Sequence, residues 1–419
     1  MIKIIIISLL GLANLNSSEN QIKPSKELIK SAWELSSRIS PNPVKFKYVF
    51  DRSLIKRIGE EKLVKIFKDL YSKTGSVLKV STVSFTTENY GDFFFHTEKD
   101  YIIPVTIAIN TNGRITSFSF RPPFKKTLSV SDIVEKLKSL NYEKKAILIK
   151  KLTQIEKTLY SYNDEESFAI GQAFTLYILS YLAENEKRWD RVVRVDHNHK
   201  SFSSSTINKY PESAPATIFT LAYHMISESD STATDILIDY IGKQKLEHYI
   251  KDKNSNYILN LPFLKTKEAF RIKMKPNFAQ KYQQASTDEK REMLRYLEDD
   301  ETNTYKLDSS TTPFINTADW FASPKDICLL MDHIRIINNP FANAILSLNP
   351  GLDLKSGGYL WGGFKGGRES GVLTLNWLLK AKDEKYYCIS IMINDSKKDI
   401  YEAEVFELSQ NLLNIFATE

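Results

Sequence analysis

Cysteine is scarce in this chain. Two residues, Cys328 and Cys388, in 419 exclude the disulfide framework that staples small secreted domains. Cys328 falls in a predicted helix and Cys388 in the apolar run Tyr386 to Ile393, so both read as core residues. A bond between them is open only if the chain is exported. Long apolar runs are equally few. Beyond Ile4 to Leu15 no stretch approaches the roughly 20 residues that a membrane-spanning helix needs, so no transmembrane segment is expected once the first residues are removed. A dense basic block is missing as well, although the net charge is +6. Lysines scattered without interleaved aromatics exclude a nucleic-acid partner and leave a solvated surface with mild affinity for anionic envelopes. The six histidines are dispersed. Their one local pair, in Asp196-His197-Asn198-His199, has an i, i+2 spacing that reads as a polar loop, and no metal or cofactor is expected. There is no internal repeat.

What remains is globular, with 42% hydrophobic and 26% charged residues and room for two or three domains. Met1-Ile2-Lys3 followed by Ile4 to Leu15 fits the basic and apolar regions of a secretory signal. Residues 1–17 are therefore expected to direct export to a periplasmic or secreted location, an uncleaved anchor being the alternative. Leu63, Ile66, Phe67, Leu70 and Tyr71 recur at helical spacing ahead of Gly75, which predicts a helix over Glu60 to Thr74. Val77 to Thr86, Tyr90 to Thr97, Ile102 to Ile109 and Arg114 to Phe120 read as strands, the last two joined by an Asn112-Gly113 hairpin turn. This order makes residues 18–127 an α+β domain that resembles the NTF2-like or steroid-isomerase-like fold. Pro122-Pro123 ends it. A second domain is expected over 128–419, with strand Ile147 to Leu152, several helices, strands Gly371 to Leu379 and Tyr386 to Ile393, and a closing helix Ala403 to Phe416.

Two short motifs carry chemistry. Ser229-Asp230-Ser231 lies in Met225 to Asp235, and Lys365-Gly366-Gly367 opens Lys365 to Leu373. With Asn260 to Phe270, Asp319 to Asp326 and Phe168 to Tyr177, they resemble the serine β-lactamase and penicillin-binding-protein superfamily. The layout is most similar to its two-domain members of the clavulanic-acid-biosynthesis type, which carry an isomerase-like N-terminal domain. The resemblance implies an antiparallel sheet flanked by helices. It also implies that Ser229 relays a proton, that Lys365 sits beside it and holds a ligand carboxylate, that Asp230 braces the loop, and that Ser231, Gly366 and Gly367 line the ligand site. Ser231 stands where the family has Asn. As an isolated triplet, Ser229-Asp230-Ser231 reads instead as the N-cap of a helix over Thr232 to Ile241, closed by Gly242.

The family's third motif, S-x-x-K, is missing. Acyl transfer needs an attacking hydroxyl with a base in reach, and residues three apart on one helix face supply both. Here Gln172 and Thr175 occupy those places. An amide cannot form an acyl ester, and a threonine hydroxyl is no base at neutral pH. The family's deacylating E-x-x-L-N segment has no match between Asp235 and Lys365 either. The literal Ser72-Lys73-Thr74-Gly75, Ser53-Leu54-Ile55-Lys56 and Ser76-Val77-Leu78-Lys79 lie in the wrong domain and read as helix ends and strand. The leading expectation is an exported pseudoenzyme that binds a small molecule or peptide with a carboxylate, such as a peptidoglycan fragment. The alternatives are a divergent serine hydrolase using Ser229 with Lys365, and a module that docks an envelope protein.

Overall fold

The computed structural model describes residues 23–125, 129–153, 157–201, 205–298, 314–354 and 358–416. The expected signal, residues 1–17, lies outside them. The chain divides into two units, one from residues 23–130 with 403–416, the other from 131–354 with 358–402.

In the first unit, helix α1 (Lys26–Ser36) starts at Ser25, whose Oγ accepts the Leu28 N–H at 3.1 Å. It buries Leu28, Ala32 and Leu35, one stripe at helical spacing. Asp51 caps α2 (Arg52–Ile58), and Gly59, at φ 88°, separates it from α3 (Glu60–Thr74). The bounds of α3 are those its apolar periodicity predicts. Strands β1 (Val77–Thr87), β2 (Tyr90–Thr97), β3 (Tyr101–Ile109) and β4 (Ile115–Phe120) follow as an antiparallel meander, and β5 (Phe124–Lys125) returns to β3. The core is rich in phenylalanine: Phe46, Phe50, Phe67 and Phe118 stack with ring centroids 5.3–6.2 Å apart. The literal K-T-G in α3 has a structural explanation. Lys73 pairs with Glu407, Thr74 donates to the Leu70 carbonyl at 2.8 Å, and Gly75 ends the helix at φ 74°.

The second unit opens with α4 (Val130–Ser139), β6 (Lys144–Leu152) and β7 (Lys157–Tyr162). A helical body follows, with α5 (Thr175–Asn185), α6 (Ile218–Ser227), α7 (Ser231–Ile241), α8 (Lys243–Lys251), α9 (Thr266–Lys273), α10 (Pro276–Gln284), α11 (Thr287–Glu298), α12 (Pro324–Ile337) and α13 (Pro340–Ser347). Two short pairs tie its loops, β8 (Phe168–Ala169) with β11 (Phe321–Ala322) and β9 (Val192–Val195) with β10 (Ala214–Thr217). Then β12 (Trp361–Glu369), β13 (Val372–Lys380) and β14 (Tyr386–Asn394) complete a five-stranded antiparallel sheet in the order β12-β13-β14-β6-β7. Every residue of β13 from Val372 to Leu379 is buried, so both faces of the sheet are covered at this central strand. The last helix, α14 (Glu402–Phe416), falls almost wholly in the first unit, where Lys125 donates its N–H to Asn411 Oδ1 at 2.7 Å.

One expectation is corrected. Cys328 and Cys388, read as separate core residues, are joined by a disulfide, their Cα atoms 5.7 Å apart. Both are buried. They lie 60 positions apart in sequence, and only the packing of α12 against β14 brings them together.

Candidate functional site

Lys365 sits mid-way along β12, buried at 1% exposure. Its ammonium reaches the last turn of α6, donating to the Met225 and Ile226 carbonyls at 3.2 and 3.1 Å and to Ser229 Oγ at 2.6 Å. Helix C-termini leave carbonyls unsatisfied and carry partial negative charge, so α6 offers this cation two acceptors without any carboxylate. Three acceptors match its three N–H bonds. Burial nonetheless pushes Lys365 down to about 7. Ser229 lies in the α6–α7 connection at φ 55°, and its own hydroxyl hydrogen has no acceptor among the described residues.

The flanks are fixed by Asp230. Its carboxylate accepts the Ala233 N–H and the Ile207 N–H, both at 2.8 Å, and is 2% exposed. Asp230 is therefore the N-cap of α7, and Ser231 is the first residue of that helix, a correction to the sequence reading. An Asp carboxylate that accepts a backbone N–H three residues on is a favoured N-cap. Ser231 is half-buried, and its hydroxyl is uncommitted among the described residues.

Gln172 lies in the short helical turn Gly171–Phe174 that leads into α5, and Thr175 is the first residue of α5. The Thr175 hydroxyl is fully buried and donates to the Gln172 carbonyl at 2.8 Å, so it is committed to its own turn. Gln172 Oε1 is shielded from solvent and meets no donor among the described residues. This turn is held against β12 by glycine: a Cβ on Gly367 would lie 1.9 Å from the Ile170 carbonyl oxygen and 2.8 Å from Ala173 N. Gly366 is tight as well, its Cβ falling 3.1 Å from the Thr374 carbonyl oxygen. Both glycines thus have packing reasons of their own. The Gln172 turn abuts β12 two residues from Lys365.

An ion triad that no motif announces backs the turn. Lys273 Nζ, at the end of α9, lies 3.1 Å from Asp319 Oδ2 and also pairs with Glu369 of β12. The other Asp319 oxygen accepts the Gly171 and Trp320 N–H groups at 2.9 and 2.7 Å. Burial alone would lower Lys273, but Asp319 and Glu369 hold it above ordinary lysine. Burial, reinforced by Asp319, pushes Glu369 well above the ordinary carboxylate range. Trp320 stacks on Phe174 at 3.7 Å, so the triad fixes both ends of the turn. Elsewhere, Asp196 to His199 form a short helical turn in which His199 lies 3.6 Å from Asp239.

Residues 130–319 match the model of the β-lactamase enzyme family. Over those residues the chain is similar to that family. Among solved structures, a β-lactamase from Francisella tularensis is 14% identical, covering 69% of this chain and 98% of its own, with a TM-score of 0.48. A class A β-lactamase from Clostridium kluyveri is 13% identical over 69% of this chain and 96% of its own, at 0.47. PBP-A is 13% identical over 69% and 95%, at 0.44. No curated protein matches by sequence.

The buried lysine of this β-lactamase-like domain has a measurable signature. Between its folded value near 7 and the ordinary 10.5, the unfolded chain binds a proton that the folded chain lacks. Lys365 therefore makes stability rise with pH across that window, by up to about 1.4 kcal/mol per pH unit. Lys365→Met is expected to remove this slope in urea denaturation between pH 7.5 and 9.5, values on the order of that window. Equal slopes in the two proteins would refute a depressed Lys365.

Proposed function

We propose that the β-lactamase-like domain is a catalytically degenerate, exported binding protein that holds a carboxylate-bearing ligand, such as a peptide or peptidoglycan fragment, without forming an acyl-enzyme. One observation carries this reading. Lys365 commits its protons to Met225, Ile226 and Ser229, while the Ser229 hydroxyl keeps a free hydrogen polarised by the adjacent cation. A ligand carboxylate placed there accepts a charge-assisted hydrogen bond from Ser229 in the field of Lys365. Among the described residues strand β12 pairs only with β13, so a peptide backbone laid along it finds a sheet edge.

The test compares peptides ending in a free carboxylate with their C-terminal amides by isothermal titration. The acids are expected to bind at least about tenfold more tightly, and Ser229→Ala or Lys365→Met to abolish that preference. Affinity is expected to fall as pH rises through about 7, where Lys365 loses its charge. Equal affinity for acid and amide overturns the reading.

The 2.6 Å contact between Lys365 and Ser229 also favours a second reading. With its value near 7, neutral Lys365 takes the Ser229 proton as the hydroxyl attacks an ester or lactam carbonyl. Ester turnover abolished by Lys365→Ala would mark it; the same slow rate in both proteins removes it.

A further inference from the structure

The charge of the chain is unevenly placed. Residues 23–125 hold eighteen Lys and Arg against ten Asp and Glu, a net +8, whereas the whole chain is +6. Within that stretch, residues 38–57 contain six basic residues and one acid, Asp51. Along the sequence these are spaced by polar and apolar residues and form no block.

The fold gathers them. Arg114 donates to the Lys47 carbonyl at 3.1 Å, Arg57 to the Thr116 carbonyl at 3.3 Å, and Phe50 bridges to Ile115. The start of β4 is thereby stitched to the segment before α2. Arg52 and Lys56 are four apart on the exposed side of α2 and share a face. Lys45, Lys47, Arg52, Lys56 and Arg57 are all exposed, and none has an ion-pair partner among the described residues. The Asp51 carboxylate is occupied by the Ser53 N–H, the Ser53 hydroxyl and Asn110. The next acids along the chain, Glu60 and Glu61, begin α3 beyond Gly59, and Glu27 of α1 lies against Gly113, next to Arg114 at the edge of this surface. In the middle of this basic surface two large apolar side chains face solvent, Val44 at 55% and Tyr48 at 57% exposure.

We propose that this face, centred on Val44 to Tyr48 and flanked by α2 and Arg114, docks the protein on an anionic lipid surface. Tyr48 sits at headgroup level, where an aromatic with a polar tip is most at home, and Val44 enters the acyl boundary. Lysine and arginine stems lie along the surface with their charges among the lipid phosphates. Charge complementarity names an anionic partner. The exposed Val44 and a single aromatic without stacking neighbours favour lipid over nucleic acid, which would use a series of stacking rings. This docking is independent of the Ser229 site.

The test is co-sedimentation of the full chain with vesicles containing roughly one-third anionic lipid, against neutral vesicles. Binding is expected only to the anionic vesicles, and to weaken as salt rises from about 50 to about 500 mM. Lys45→Glu with Lys47→Glu, or Arg52→Glu with Lys56→Glu, is expected to weaken it by at least about tenfold. Lys62→Glu with Lys68→Glu makes the same charge change on the exposed side of α3 and is expected to have a much smaller effect. Tyr48→Ala is expected to weaken vesicle binding several-fold while leaving binding to a soluble polyphosphate unchanged. Equal binding to neutral vesicles overturns the proposal, as do equal effects of the α3 pair and indifference to Tyr48→Ala, the last marking a general polyanion site.

Discussion

Incubated with a panel of penicillins and activated esters, the purified protein is expected to keep its intact mass. The chemistry leaves little choice. By the sequence resemblance Gln172 stands where the family has its attacking serine and Thr175 where it has the base, and a carboxamide nitrogen or oxygen does not yield a stable acyl ester. Thr175, at the position of the base, is fully buried and bonded to the Gln172 carbonyl. Loss of a serine nucleophile alone lowers turnover by about 10⁶-fold in the subtilisin knockouts, so labelling should fall below detection. A stable adduct mapped to Ser229 would reverse the conclusion and establish a relocated nucleophile activated by Lys365. An adduct elsewhere would leave both readings of this site without support.

Replacing Asp319 with alanine is expected to destabilise the protein by about 3–5 kcal/mol, the range for breaking a buried ion pair from one side. The Asp319 side chain is fully buried and Lys273 is 4% exposed, so the lysine left behind keeps only Glu369 for its charge. The Gly171 N–H loses its acceptor as well, and the turn carrying Gln172 loses its anchor. Asp319→Asn keeps an acceptor for the backbone but not the charge, and should cost less. Urea denaturation decides: a lower midpoint at unchanged slope is expected, and a loss below about 1 kcal/mol for alanine would mean that the triad does not hold the turn.

Local structure was largely legible. The bounds of α3 follow from Leu63, Phe67 and the glycine at 75, and those of β2 match the Tyr90 to Thr97 stretch read as a strand. Such features repeat at the period of the element itself and need no knowledge of the fold. The Ser229–Lys365 pairing was legible only through resemblance, since 136 positions separate the two residues. What could not be read was what depends on distant packing. Lys273, Asp319 and Glu369 look like three unrelated surface charges until α9, the β11 approach and β12 converge. Cys328 and Cys388 look like ordinary helix and strand core residues until α12 lies on β14. Asp230 and Ser231 are both good caps by residue type, and Ile207, whose N–H the Asp also binds, is remote in sequence.

The backbone at Ser229 sets a conflict for anyone engineering this protein. A non-glycine residue at φ 55° gives up about 1 kcal/mol to left-handed geometry, so a search guided by thermostability alone would install glycine there. That substitution deletes the hydroxyl on which both the proposed ligand capture and the alternative hydrolysis depend. Variants selected for heat resistance would drift toward a sturdier protein with nothing left to offer a ligand, and Ser229 is the position at which such a library should be held fixed.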